Sequence, residues 1–316
     1  MLSLLKLTDF EAFRAWRAEP SRWLPIARDI AREQDLPDTV SQVFATGTNL
    51  VAALDGQLIL KIFPPMLRSQ FTSERASLAQ LRRRLSVPIP EVVAEGERGG
   101  WPYLVMTRLD GVLGSDAWPI MEEAEKERVL RQIGAVIAEV QRVPPGPLLD
   151  IEPGWDAFLR GQIAGCRARH TRLGLAPKFL EGLDDLMRDA ATLIPADAPP
   201  VILIGEYIPE NFLLANDNGA WRVAGLFDFG DVMTGWHEYD LLGPSAFMTA
   251  GRPRRVQSLF EGFGYARADI DFALKRRLLA LMLLHRASDP VRHICIEDWQ
   301  HKADDLVQLQ ELIWPD

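Results

Sequence analysis

The β-forming runs of this chain are gathered towards one end. Between Val40 and Leu109 five short β-rich runs surround a single helical stretch, and after residue 110 the pattern is mostly helical. QVFATG, NLVAAL and QLILKIF come first, with Asp55-Gly56 between the second and third, a dipeptide suited to the positive φ angles of a hairpin turn. Residues 69–85 switch to helical spacing, with Phe71, Leu78, Leu81 and Leu85 on one face. VPIPEVVAEGERGGWPYLVMTRL adds two strands about Gly99-Gly100. A small antiparallel sheet carrying one helix is therefore expected over residues 1–109. The polar, glycine-bearing segment Asp110–Ser115 marks the boundary with a mostly helical part, 110–316.

Ahead of the sheet, residues 8–35 read as helix with Phe10, Phe13, Trp16 and Trp23 as apolar positions, broken into two short pieces by Pro20 and Pro25. Beyond residue 110, Val129, Ile133, Val136 and Val140 recur at helical spacing until Pro144-Pro145 stops them. Residues 154–172, 178–194 and 236–313 read as further helical sections. VILIGEY, NFLLA and WRVAGLFDF interrupt them, with Asn216-Asp217-Asn218-Gly219 as a second hairpin signal.

Composition narrows the partners. With 35 basic and 44 acidic residues the 316-residue chain carries a net charge of −9, a poor match to nucleic acid or an anionic membrane, both of which reward clustered Lys and Arg. Cys166 and Cys295 stand far apart with no CxxC spacing, so two reduced thiols are expected rather than a zinc site or disulfide framework. MLSLLKLTDFEAF lacks the basic start and cleavage site of a signal peptide, and the apolar run Leu278–Leu284 is too short to span a bilayer. A soluble, cytoplasmic protein is expected, of unknown oligomeric state.

The chemistry-bearing stretch is 201–243, which holds Glu206, Asn211, Asp228 and Asp231 near strand ends or turns. Hard oxygen donors so placed suit a magnesium–phosphate site, because Mg²⁺ takes few protein ligands and shares the rest with phosphates and water. This segment resembles the catalytic and metal loops of the aminoglycoside phosphotransferase and choline kinase family, whose usual pattern is H-G-D-x-x-x-x-N, a hairpin, then a strand ending in Asp-Phe or Asp-Trp. Gly205, Glu206 and Asn211 match by spacing, and Asp228-Phe229-Gly230 matches the metal loop. Ile204 and Glu206 depart from the pattern, standing where the family has His and the catalytic Asp. A Thr-Glu at this point is a feature of some hygromycin B phosphotransferases, and the Glu206 departure is similar to it.

The resemblance implies a bilobal, protein-kinase-like α+β fold and an ATP- and Mg²⁺-dependent transfer of the γ-phosphate to a hydroxyl of a small molecule, with an aminoglycoside-like acceptor favoured. It implies that Asn211 and Asp228 hold Mg²⁺ and that Glu206 orients the acceptor hydroxyl or takes its proton. Lys61, in LILKIF, takes the place of the lysine that contacts the α- and β-phosphates, and Glu74 that of its ion-pair partner. Gly47 and Thr48, within Phe44–Asn49, fall in the loop over the phosphates, and Met106, Thr107 and Arg108 would face the adenine through their backbone groups. Asp240 resembles a family Asp that steadies the catalytic loop. Asp231 either supports the metal or caps a turn.

Each residue alone has a plainer reading: Lys61 as an edge-strand lysine, Glu74 as a surface helix charge, Asn211 as a turn residue. Trp155, Trp221, Trp236 and Trp299 are core by default, His237 is structural, and the basic stretch 160–172 is a solvated face. The ordered set carries the resemblance. Two alternatives follow from its departures and silences: a pseudokinase that binds nucleotide without turnover, and a kinase for a metabolite such as an amino alcohol or sugar. ATP and GTP are not distinguished. The antibiotic resistance in the family name does not follow, since a fold and a nucleotide site leave the second substrate open.

Overall fold

The computed structural model describes residues 9–45, 47–194 and 198–316. The chain forms two compact units. The first comprises the residues up to Arg83, Pro88–Asp110 and Phe227–Val232; the second comprises Arg84–Val87, Gly111–Leu226 and Met233–Asp316.

In the first unit, helices α1 (Phe10–Arg17) and α2 (Leu24–Glu33) precede strands β1 (Val40–Phe44), β2 (Leu50–Leu54) and β3 (Leu58–Ile62), helix α3 (Arg68–Leu81), and strands β4 (Val92–Arg98) and β5 (Trp101–Thr107). The five strands form one antiparallel sheet in the order β1-β2-β3-β5-β4. Both hairpin signals within it are used: Asp55 and Gly56 take φ of 48° and 72°, and Gly99 and Gly100 take 59° and 89°. Side chains alternate across a strand. Leu60 and Ile62 join Phe13, Trp16, Trp23, Ile26, Ile30 and Trp101 in a buried apolar core under α1 and α2. Lys61 therefore points to the other face, where α3 lies.

Helix α3 stops at Leu81, four residues short of the expected end. Arg82 turns to ψ 123° and Arg83 to φ 56°, so Leu85 leaves the helical face. The N-terminal helical region is split at Pro20–Arg22, as its prolines require; Thr8, its expected first residue, lies outside the described residues.

The second unit contains β6 (Val112–Leu113), α4 (Gly114–Ala117), α5 (Glu123–Arg142), α6 (Trp155–Arg172), α7 (Pro177–Glu181), α8 (Leu183–Leu193), β7 (Val201–Leu203), β8 (Phe212–Asp217), β9 (Ala220–Leu226), β10 (Met233–Gly235), α9 (Leu242–Pro244), α10 (Pro253–Phe263), α11 (Phe272–Leu284), α12 (Pro290–His293), α13 (Trp299–Lys302) and α14 (Leu306–Ile313). Strands β6, β8 and β9 form one small sheet, with Asn218-Gly219 at the β8–β9 turn, and β7 pairs with β10. Helix α11 is buried nearly all round from Leu278 to Leu284, the signature of a core helix.

The section expected to be helical over 236–313 is a series of short helices. Ala250 and Gly251 adopt positive φ before Pro253, and Gly264 does so after α10. The 178–194 helix is likewise divided, at Gly182. No helix among the described residues is long and apolar enough to cross a membrane.

Candidate active site

Strand β3 presents Lys61 at the middle of the sheet, paired across to Val51 on one side and Leu104 on the other. Its ammonium is almost fully buried and lies 2.6 Å from Glu74 Oε2 on α3 and 2.8 Å from Asp228 Oδ1. An edge-strand lysine and a surface glutamate are thereby replaced by a buried ion-paired cluster. Burial would lower the lysine's pKa, but Asp228 and Glu74 outweigh it and raise it above its ordinary value. Glu74 is the more deeply buried carboxylate, and burial raises its pKa against the pull of Lys61. It also accepts the N–H of Phe229, which ties α3 to the loop that carries Asp228.

Asp228 differs from Glu74 in exposure: its side chain is 42% accessible. What burial it has pushes its pKa up, and Lys61 together with the Gly230 N–H more than reverse this, holding it below the usual range. Its φ of 67° lies in the left-handed region that non-glycine residues rarely occupy. Such backbone outliers cluster at functional sites. Asp231 accepts from Gln70 Nε2 at 3.3 Å, and Gln70 Oε1 in turn accepts from Asn49 Nδ2 at 3.2 Å. Gly47 is at φ 89° and its carbonyl accepts from Arg17, while Thr48 is exposed; Thr46 of the same loop lies outside the described residues. Met106 is buried on β5. The N–H groups of Thr107 and Arg108 already donate to Glu91 and Gln57, so a nucleobase would have to use other groups of this segment.

In the second unit the segment after β7 carries Glu206 and Asn211. Gly205, at φ 81°, makes the turn that a β-carbon would strain. Its N–H donates to Asp240 Oδ1 at 2.8 Å, and the Ile204 N–H donates to Asp240 Oδ2 at 3.1 Å. Burial carries Asp240 up to about 7 despite those bonds. The carbonyl of Gly205 accepts from His285 Nε2 at 2.9 Å, a residue that sequence reasoning passed over. The Ala287 N–H donates to Nδ1 of the same ring, which sets the tautomer, and the ring stacks on Tyr239 at 4.6 Å. Burial lowers His285 to about 4, leaving it neutral. Asn211 is buried, and its Nδ2 donates to the Glu206 carbonyl at 3.0 Å, which reserves its Oδ1 for another partner.

Several residues are engaged in packing or in surface pairs. Trp155 packs on Phe158 and Tyr239, Trp299 on Phe179, and His237 lies against Trp236 and Phe263. Arg167 pairs with Asp184 on the surface. Both cysteines are free thiols. Among the described residues no group of three or more His, Cys, Asp or Glu could by itself hold a metal. Each unit offers a hard oxygen donor of its own, the half-exposed carboxylate of Asp228 in the first and the oriented amide of Asn211 in the second.

A family model described as the phosphotransferase enzyme family (APH) matches residues 45–276. The chain belongs to this phosphotransferase family. It is a kinase-type phosphotransferase, and the alternative of a relative without turnover finds no support in the comparisons. No curated protein matches the chain in sequence. Among solved structures, the GDP complex of aminoglycoside 2'-phosphotransferase-IIIa is similar over 97% of this chain and 99% of that one, at 16% identity and a TM-score of 0.65. The streptomycin–ATP ternary complex of APH(2")-IIa is similar over 81% and 89%, at 16% identity and 0.59. Macrolide 2'-phosphotransferase MphH from Brachybacterium faecium is similar over 81% and 89%, at 17% identity and 0.53. At such identities the likeness establishes the fold, the α+β kinase-like architecture of these phosphotransferases.

Proposed function

We propose that the protein transfers the γ-phosphate of ATP, with Mg²⁺, to a hydroxyl of a small molecule. The observation that carries this is the buried Lys61 held between Glu74 and the half-exposed Asp228. An ammonium fixed in this way is a ready partner for phosphate oxygens, and Glu74 sets its position. Asn211 and Asp228 would hold Mg²⁺, which supplies charge neutralisation at the phosphates. Glu206 would orient the acceptor hydroxyl and take its proton. The residue before it, Gly205, is fixed by Asp240 and His285. Gly47 and Thr48 would lie over the phosphates and Met106 beside the adenine.

Solved neighbours of this fold carry GDP or ATP, which supports a nucleotide as phosphoryl donor. The resemblance points to an aminoglycoside-like acceptor, and the lining of the cavity beside Glu206 bears on that choice. The test is thermal unfolding with and without Mg-ATP in wild type and Asp228→Ala. A ligand at a hundredfold its Kd adds about 2.7 kcal/mol. A shift in wild type that Asp228→Ala loses is expected; no shift in wild type sinks the proposal.

A further inference from the structure

Beside Glu206, within the second unit, lies a cavity of about 230 Å³. Its walls are largely apolar, built from Leu242, Ala246, Phe247, Met282 and Ile294. Polycationic ligands need carboxylates, and besides Glu206 the lining offers one, Asp289. That carboxylate is already engaged: Oδ1 caps the Arg292 N–H and Oδ2 lies 3.6 Å from the Arg292 guanidinium. Burial disfavours the charged form of both imidazoles in the wall, His285 and His293. The acidic residues towards the C-terminus are not in the lining; Asp304 faces Lys178, Asp305 caps α14 and Glu311 pairs with Lys275.

Among the described residues, one polar group in the wall lacks a hydrogen-bond partner. Ser288 is 8% exposed and its Oγ is buried without a hydrogen bond. That Oγ is closed off from the cavity, so the apolar walls and the two carboxylates set what a ligand meets there.

We infer that this cavity takes a compact, mostly apolar, uncharged alcohol, and that the acceptor class is such a molecule and not a polyamine sugar. The inference rests on the phosphotransferase reading for the word acceptor; the cavity's own chemistry is independent of it. Transfer would form a bond between the acceptor oxygen and the γ-phosphorus of ATP, break the bond to the β-phosphate bridging oxygen, and leave the hydroxyl proton on Glu206 with ADP as leaving group.

Titration calorimetry of the full chain with 2-phenylethanol and with kanamycin tests this without nucleotide. Saturable binding of 2-phenylethanol is expected, with none for kanamycin. Phe247→Glu should weaken 2-phenylethanol about tenfold or more, the worth of one apolar side-chain contact. Ala246→Leu, which narrows the cavity without adding charge, should weaken it too while leaving the Mg-ATP melting shift intact, which shows that the variant is folded. Binding of kanamycin in place of 2-phenylethanol overturns the inference, and so does binding of neither. A missing Mg-ATP shift with 2-phenylethanol still bound would overturn the phosphotransferase reading and the acceptor role with it, so the two failures are told apart.

Discussion

Asp240 and His285 hold the same residue by its two backbone groups: Gly205 donates its N–H to the carboxyl at 2.8 Å and accepts from the imidazole at 2.9 Å. The clamp matters because the next residue is Glu206, and a misplacement of about 1 Å at a reacting group costs on the order of a hundredfold in rate.

The two clamping groups have opposite pH linkage. Asp240 rises from 3.8 to about 7 on folding, so its contribution is present at low pH and is lost as pH rises through about 7. His285 falls from 6.5 to about 4, so its contribution is present above 6.5 and is lost as pH falls through about 4. Between about 4 and 6.5 the slopes oppose each other, each at about 1.4 kcal/mol per pH unit. Relative to wild type, Asp240→Asn should gain stability as pH rises through that window, and His285→Asn should lose it. Urea unfolding at pH 4.5 and 6.5 reads the difference; parallel curves for the two variants would refute the assignment.

Lys61→Met leaves Glu74 buried without its counter-charge. Breaking a buried pair by removing one partner costs about 3–5 kcal/mol. Replacing both, Lys61→Met with Glu74→Met, should recover most of that loss. The Mg-ATP melting shift should vanish in single and double variants alike. A single variant as stable as wild type would show that the pair is not the buried unit described.

Glu206→Gln keeps the side chain's shape and removes its basicity. Turnover should fall about 10²-fold or more, while the Mg-ATP shift persists. Glu206→Asp keeps the base but draws it back by one methylene, and an intermediate rate is expected. A Glu206→Gln enzyme at wild-type rate would remove Glu206 from the chemistry.

Asn211→Ala removes the amide that ties the Glu206 carbonyl and the oxygen assigned to the metal. Its turnover should respond to raised Mg²⁺ concentration, recovering in part as the metal titrates in. Turnover independent of Mg²⁺ in both proteins would dismiss the metal role.

The element order of the first unit was legible because its strands and turns carry local signals, Asp55-Gly56 and Gly99-Gly100 among them. The Glu74 position was legible through the family resemblance, which puts such a glutamate early in the helix after the lysine strand. His285 was not, because its contact with Gly205 spans 80 residues and its own neighbourhood, at the end of α11, reads as an ordinary helix terminus. The cavity was also hidden. Its walls come from α11, the residues after it, α9 and the helical segment about Phe247, and each piece looks like core until they are assembled. The expected length of α3 failed at Arg83, where the backbone takes a positive φ although the residue is not a glycine.

The short segment Phe227–Val232 belongs to the first unit although the chain on either side belongs to the second. The lysine cluster is therefore not encoded in one contiguous stretch. A fragment ending at Asp110 would keep Lys61 and Glu74 and lose Asp228, so a gene cut at the apparent boundary would yield a charge-unbalanced half. Recombination that exchanges acceptor halves between relatives has to carry this six-residue return along with the first half, or rebuild its partner to Lys61 from the incoming one.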